Sequence, residues 1–122
     1  MAKVLLIEDD EFLRDIYKRT LDAEGIATDA FEKGADGLAA LHAQNYDLVL
    51  LDIMLPDTNG LEILKTIKSD GSKKDIPVVF LSNLGQESVI EEGHRLGAKG
   101  YLIKSTLNPD QMVREIKNFL AG

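Results

Sequence analysis

The chain has 122 residues, 44% hydrophobic and 29% charged, with a formal net charge of −7 and no cysteine. This length and balance suit one globular domain that builds its own core without disulfides or thiolate metal sites. Its acidity, with no basic stripe to offset it, would repel nucleic acid phosphates and anionic lipid, so direct binding to nucleic acid or membrane is not expected.

Residues 4–7 form an apolar run that is too short for a signal-peptide core and ends at once in Glu8, Asp9 and Asp10. No segment has the length of a membrane span, and a cytoplasmic protein is expected. Phe12, Leu13, Ile16, Tyr17, Thr20 and Leu21 share one face of a helix predicted over residues 11–24, which Gly25 can end. A weaker strand at 26–30, a helix at 34–44, a strand at 47–51 and a helix at 61–69 follow. Beyond them come a strand at 78–81, a helix at 86–96, a strand at 101–103 and a helix at 109–120. The last helix opens with Asn108 as cap and Pro109 at its first position, and Met112, Val113, Ile116, Phe119 and Leu120 form its buried stripe. There is no low-complexity stretch, repeat or linker, and residues 1–122 are expected to form one unit with no effector domain.

Strict strand–helix alternation implies an α/β fold, because parallel strands need crossovers and the helices supply them. The expected architecture is a doubly wound five-stranded parallel sheet, order 2-1-3-4-5, with five helices on both faces. Ligands should bind beyond the carboxyl ends of the first and third strands. The residues that follow the strands there are Glu8-Asp9-Asp10, Asp52, Ser82 and Lys104. Each alone is ordinary: Asp10 or Glu11 as a helix cap, Ser82 as a local hydrogen-bonder, Lys104 as a surface charge. Carboxylates gathered at one rim repel, by on the order of 4 kcal/mol for two charges ~4 Å apart at an effective dielectric of ~20. A hard divalent cation with an incomplete oxygen shell relieves this, which favours Mg²⁺, with Mn²⁺ as a substitute. His42 and His94 read as ordinary helix positions.

In these residues the chain resembles a response-regulator receiver domain of two-component signalling. The matching stretches are Glu8-Asp9 in Leu-Ile-Glu-Asp-Asp, Asp52 in Leu-Leu-Asp-Ile-Met-Leu-Pro-Asp-Thr-Asn-Gly, Ser82 in Val-Val-Phe-Leu-Ser and Lys104 in Gly-Tyr-Leu-Ile-Lys. The resemblance implies a phosphoacceptor at Asp52, metal contacts from Asp9, from Glu8 through water and from the Met54 backbone carbonyl, and Ser82 and Lys104 on the phosphoryl oxygens. It further implies a sensor histidine kinase or histidine phosphotransfer protein as donor. Ser82 and Tyr101 would act as switch residues, and a downstream protein would bind the face of the fourth helix, last strand and last helix. A monomer, or a dimer formed on phosphorylation, is expected. Such a protein is a phosphoacceptor that catalyses only its own phosphorylation and slow dephosphorylation.

Three features depart from the family pattern. Ser105 stands where proline usually follows the lysine, so the Lys104–Ser105 bond is expected to be trans. Asn83 is larger than the residue common after the serine and would crowd the phosphoryl entrance. Met54 and Leu84 cannot hydrogen-bond an attacking water with their side chains, which implies a long-lived acyl phosphate. A flavodoxin would need a Ser/Thr/Gly-rich loop where this chain has Glu-Asp-Asp-Glu, and a dehalogenase-type phosphatase would need an aspartate at Met54. A receiver that serves only as a scaffold is the third alternative.

Overall fold

The computed structural model describes residues 2–83 and 86–122. Along the chain run β1 (Lys3–Ile7), α1 (Glu11–Ala23), β2 (Ala27–Phe31), α2 (Gly34–Ala43), β3 (Leu48–Leu51), α3 (Gly60–Ser69), β4 (Val78–Ser82), α4 (Glu87–Arg95), β5 (Gly100–Ile103) and α5 (Pro109–Ala121). The strands form one sheet in the order β2-β1-β3-β4-β5, and every pairing is parallel. This is the architecture that the alternation predicts.

Successive strand side chains point to opposite faces, so each apolar run feeds two cores. Val4, Leu6, Leu48, Leu50, Val79 and Leu81 face Tyr17 and Leu21 of α1 and Met112, Val113 and Ile116 of α5. On the other face Leu5, Ile7, Val49, Leu51, Val78 and Phe80 pack on Leu41 of α2 and Ile63, Leu64 and Ile67 of α3. Burial on both sides leaves no room for alternation in the sequence, which is why β1 and β3 read as unbroken apolar stretches.

The helix ends follow local chemistry. Asp10 caps α1 by accepting the Leu13 N–H. Gly25 turns the chain out of the helix at φ 79°, a conformation that β-carbons disfavour. Asn108 and Gln111 form a reciprocal capping box at the start of α5, with Pro109 at its first position. Two parts of the expected stripes differ. Phe12 is 71% exposed, since at 100° per residue it lies at the margin of the α1 face farthest from its buried members, Tyr17 and Leu21. Phe119 and Leu120 are only half-buried, packed against the edge of the core.

Lys104–Thr106 form a 3₁₀ turn between β5 and α5 that no sequence signal suggested. Among the described residues no peptide bond is cis, so the Lys104–Ser105 bond is trans as expected. No described helix is long and apolar enough to cross a membrane.

Candidate functional site

Parallel strands end together, so the residues after β1 and β3 and those at the ends of β4 and β5 meet on one rim. Ile7 pairs with Leu51, which puts Glu8 beside Asp52, and Ser82 pairs with Ile103, which puts Ser82 next to Lys104. Glu8, Asp52 and Ser82 are buried, whereas Asp9 is exposed at the mouth. Lys104 reaches between the two buried acids. Its Nζ lies 2.6 Å from Asp52 Oδ2 and 2.5 Å from Glu8 Oε1. The other Asp52 oxygen accepts the Ile53 N–H at 2.7 Å.

Burial pushes the Glu8 carboxyl up to about 7, against the opposing pull of Lys104 and the Asp10 N–H. Burial alone would lower Lys104, but its contacts with Asp52 and Glu8 outweigh this and raise it, so the ammonium stays charged. The ammonium thereby offsets part of the repulsion between the two carboxylates.

One oxygen from each of Glu8, Asp9 and Asp52 lies within 4.8 Å of the others, a spacing that a single cation can span. Glu8 Oε1 is buried and accepts no hydrogen bond of good geometry among the described residues, despite the nearby ammonium. An all-oxygen donor set gathered within reach of one ion fits a hard divalent cation. The Met54 backbone is fixed by an antiparallel bridge to Asn59, and the residue is 63% exposed.

Tyr101 is half-buried, its ring centroid 5.6 Å from that of Phe80 at a 45° tilt. Burial raises its phenol, while a hydrogen bond with Ser82 works in the opposite direction. The two residues expected to switch together are thus in contact. His42 and His94 are exposed on their helices, with His42 near Asp70. Leu84 lies outside the described residues.

Arg14 carries no sequence signal beyond its charge, and Asp57 stands in the family-matching stretch after Asp52 without a role assigned to it. Arg14 Nη1 donates to the carbonyls of Glu8 and Asp9 at 2.9 and 3.3 Å, tying the acidic loop to α1. Asp57 accepts the N–H groups of Gly34 and Ala35 at 2.9 and 3.0 Å, capping α2 from the loop that follows Asp52. Lys33, the residue in the capping position itself, makes no side-chain cap bond.

The family model described as response regulator receiver domain matches residues 4–117. Transcriptional regulatory protein ResD of Bacillus subtilis (strain 168) is 32% identical over 119 residues, which are 98% of this chain and 48% of that protein. The chain spans about half the length of the curated relatives it matches. Among solved structures it is similar to chemotaxis protein CheY4 of Vibrio cholerae, with a TM-score of 0.91 at 26% identity and 98% of both chains covered. It is also similar to the Mn²⁺-bound form of response regulator Rcp1, with a TM-score of 0.84 at 28% identity, covering 98% of this chain and 94% of that one. Strand order, rim chemistry and sequence agree along nearly the whole chain, which therefore belongs to the response regulator receiver domain family of two-component signalling.

Proposed function

We infer that this chain is a signalling switch that accepts a phosphoryl group on Asp52 from a phosphohistidine donor. The observation that carries this reading is the convergence of Glu8, Asp9 and Asp52 oxygens within 4.8 Å, with Lys104 Nζ 2.6 Å from Asp52. An oxygen of the Asp52 carboxylate attacks phosphorus and forms an acyl phosphate. The phosphorus–nitrogen bond of the donor breaks, and the departing imidazole keeps the electron pair. Lys104 follows the charge onto a phosphoryl oxygen, and the Ser82 hydroxyl donates to another. Mg²⁺, or Mn²⁺ in its place, would be held by Glu8, Asp9, Asp52 and the Met54 carbonyl, and when bound supplies charge neutralisation at the phosphoryl oxygens.

The acyl phosphate carries about −1.5 to −2 charges, in place of the single charge of the free Asp52 carboxylate, and brings three acceptor oxygens. Ser82 is drawn toward them, and Tyr101, in contact with Ser82, moves with it. The face of α4, β5 and α5 is thereby remodelled for a downstream protein or an output domain, with a coupling of ~1–3 kcal/mol. A sensor histidine kinase or histidine phosphotransfer protein would be the physiological donor in this reading. The chain works as one phosphoacceptor unit over residues 1–122, monomeric or dimerising on phosphorylation, in the cytoplasm.

Incubation with acetyl phosphate and Mg²⁺, followed by intact mass, tests the reading. The chain should gain the mass of one PO₃ unit, and Asp52→Asn should gain none. Equal uptake by both would remove Asp52 as the acceptor.

A further inference from the structure

Ser82 and Lys104 end adjacent strands, and the residues that immediately follow them are joined by a hydrogen bond. Asn83 Oδ1 accepts the Ser105 N–H at 3.0 Å, across 22 residues of chain. Ser105 is the second residue of the 3₁₀ turn that Lys104 begins. Early N–H groups in such a turn lack acceptors within it, and Asn83 supplies one from the neighbouring strand. At its other end the turn closes on itself, with the Thr106 hydroxyl donating to the Ile103 carbonyl at 2.9 Å and the Leu107 N–H to the Lys104 carbonyl at 3.3 Å.

We propose that Asn83 is a positioning residue for Lys104: by holding the Ser105 N–H it fixes the turn that aims the ammonium at Glu8 and Asp52. The geometry makes this economical. Lys104 carries four rotatable side-chain bonds, so an ammonium held 2.5 and 2.6 Å from two buried carboxylates depends on where its backbone is anchored. β5 anchors the residues before it, and the Asn83 bond anchors the residue after it. Because Asn83 itself follows Ser82, displacement of Ser82 toward a phosphoryl group is passed to the Lys104 turn through this bond. Both groups that would grip the phosphoryl oxygens thus move as one unit. This consequence rests on the phosphoacceptor reading, whereas the anchoring of Lys104 does not.

The test uses the full chain with ¹⁵N and ¹³C-lysine labels, in Asn83→Ala and Asn83→Asp forms. Asn83→Asp keeps an acceptor oxygen at the same place. In Asn83→Ala the Ser105 amide should exchange faster and the Lys104 ε-carbon resonance should move toward that of a free lysine. Asn83→Asp should restore the amide protection. Phosphorylation of Asn83→Ala by acetyl phosphate at saturating Mg²⁺ should slow by about fivefold, the scale of one neutral hydrogen bond. An unmoved Lys104 resonance in Asn83→Ala, or Ser105 exchange unchanged by the substitution, would overturn the proposal. A wild-type chain that takes up no phosphoryl group while its Lys104 resonance responds to Asn83→Ala would leave the positioning role standing and remove the phosphoacceptor reading.

Discussion

Gly60 lies against the backbone of Asp52 so closely that a β-carbon at residue 60 would sit 2.3 Å from the Asp52 carbonyl oxygen. Its N–H also donates to the Ile53 carbonyl at 2.6 Å. The start of α3 is therefore laid directly on the strand end that presents Asp52, and only the absence of a side chain allows it. Gly60→Ala must push the Asp52 segment away, since the obstructing atom is backbone and cannot rotate aside. The expected cost is about 1–3 kcal/mol, the usual scale of overpacking. Urea unfolding measures it, and intact mass after acetyl phosphate should show slower uptake at Asp52. A variant as stable as wild type would mean that the contact relaxes freely.

The neighbouring Asp57 gives a prediction with a definite pH direction. N–H groups of Ala35 and Gly34 hold its carboxylate below the usual carboxylate range. A group whose folded value is lowered stabilises the fold fully above its unfolded value, and that contribution is lost as pH falls through the folded one. Asp57→Ala should lower the thermal midpoint at neutral pH, because α2 loses its cap. The gap between wild type and variant should hold from neutral pH down to about 4 and close as the pH falls further, through the lowered folded value. A gap that stays constant through that fall would show that the carboxylate charge is not what caps the helix.

These two contacts mark the boundary of what the sequence could reveal. Apolar runs at β1 and β3 announce strands buried on both faces, and once strand order is known the parallel register brings Glu8, Asp52, Ser82 and Lys104 to one rim without further information. Residue types suffice there, because each functional side chain adjoins the end of a readable element. Asp57 on Gly34, Arg14 on the Glu8 carbonyl and Asn83 on Ser105 carry no such mark. They join a side chain to a distant or neighbouring backbone group, and any backbone N–H or C=O can serve. Phe12 shows a related limit: helical periodicity gives the face of α1 but not how much of its margin is covered.

Asp9 separates metal binding from folding. Its carboxylate makes no hydrogen bond or ion pair with other described residues, yet it stands within 4.8 Å of Glu8 and Asp52 oxygens. Without a cation it adds only repulsion. Asp9→Asn should therefore be no less stable than wild type in the absence of Mg²⁺. Adding Mg²⁺ at roughly ten times its dissociation constant should raise wild-type stability by about 1.4 kcal/mol, and leave Asp9→Asn nearly unmoved. Chemical unfolding with and without Mg²⁺ measures both. A full Mg²⁺ response in Asp9→Asn would take Asp9 out of the metal shell.

Met54 should set how long the phosphorylated state lasts. It lies two residues beyond Asp52 in the chain and is 63% exposed, so its side chain is free to meet water that comes to an acyl phosphate on Asp52. A thioether is a poor acceptor and cannot donate, so it neither orients that water nor takes its proton. Met54→Asn replaces this with an amide that can accept from and donate to the water and so orient it, and loss of the phosphoryl group should quicken by about fivefold, the scale of one added hydrogen bond. The bridge between residues 54 and 59 is made by backbone, so the substitution leaves the loop in place. Following the decay of the phosphorylated mass after removal of acetyl phosphate measures the rate. If the two chains decay at the same rate, access of water is controlled elsewhere on the rim.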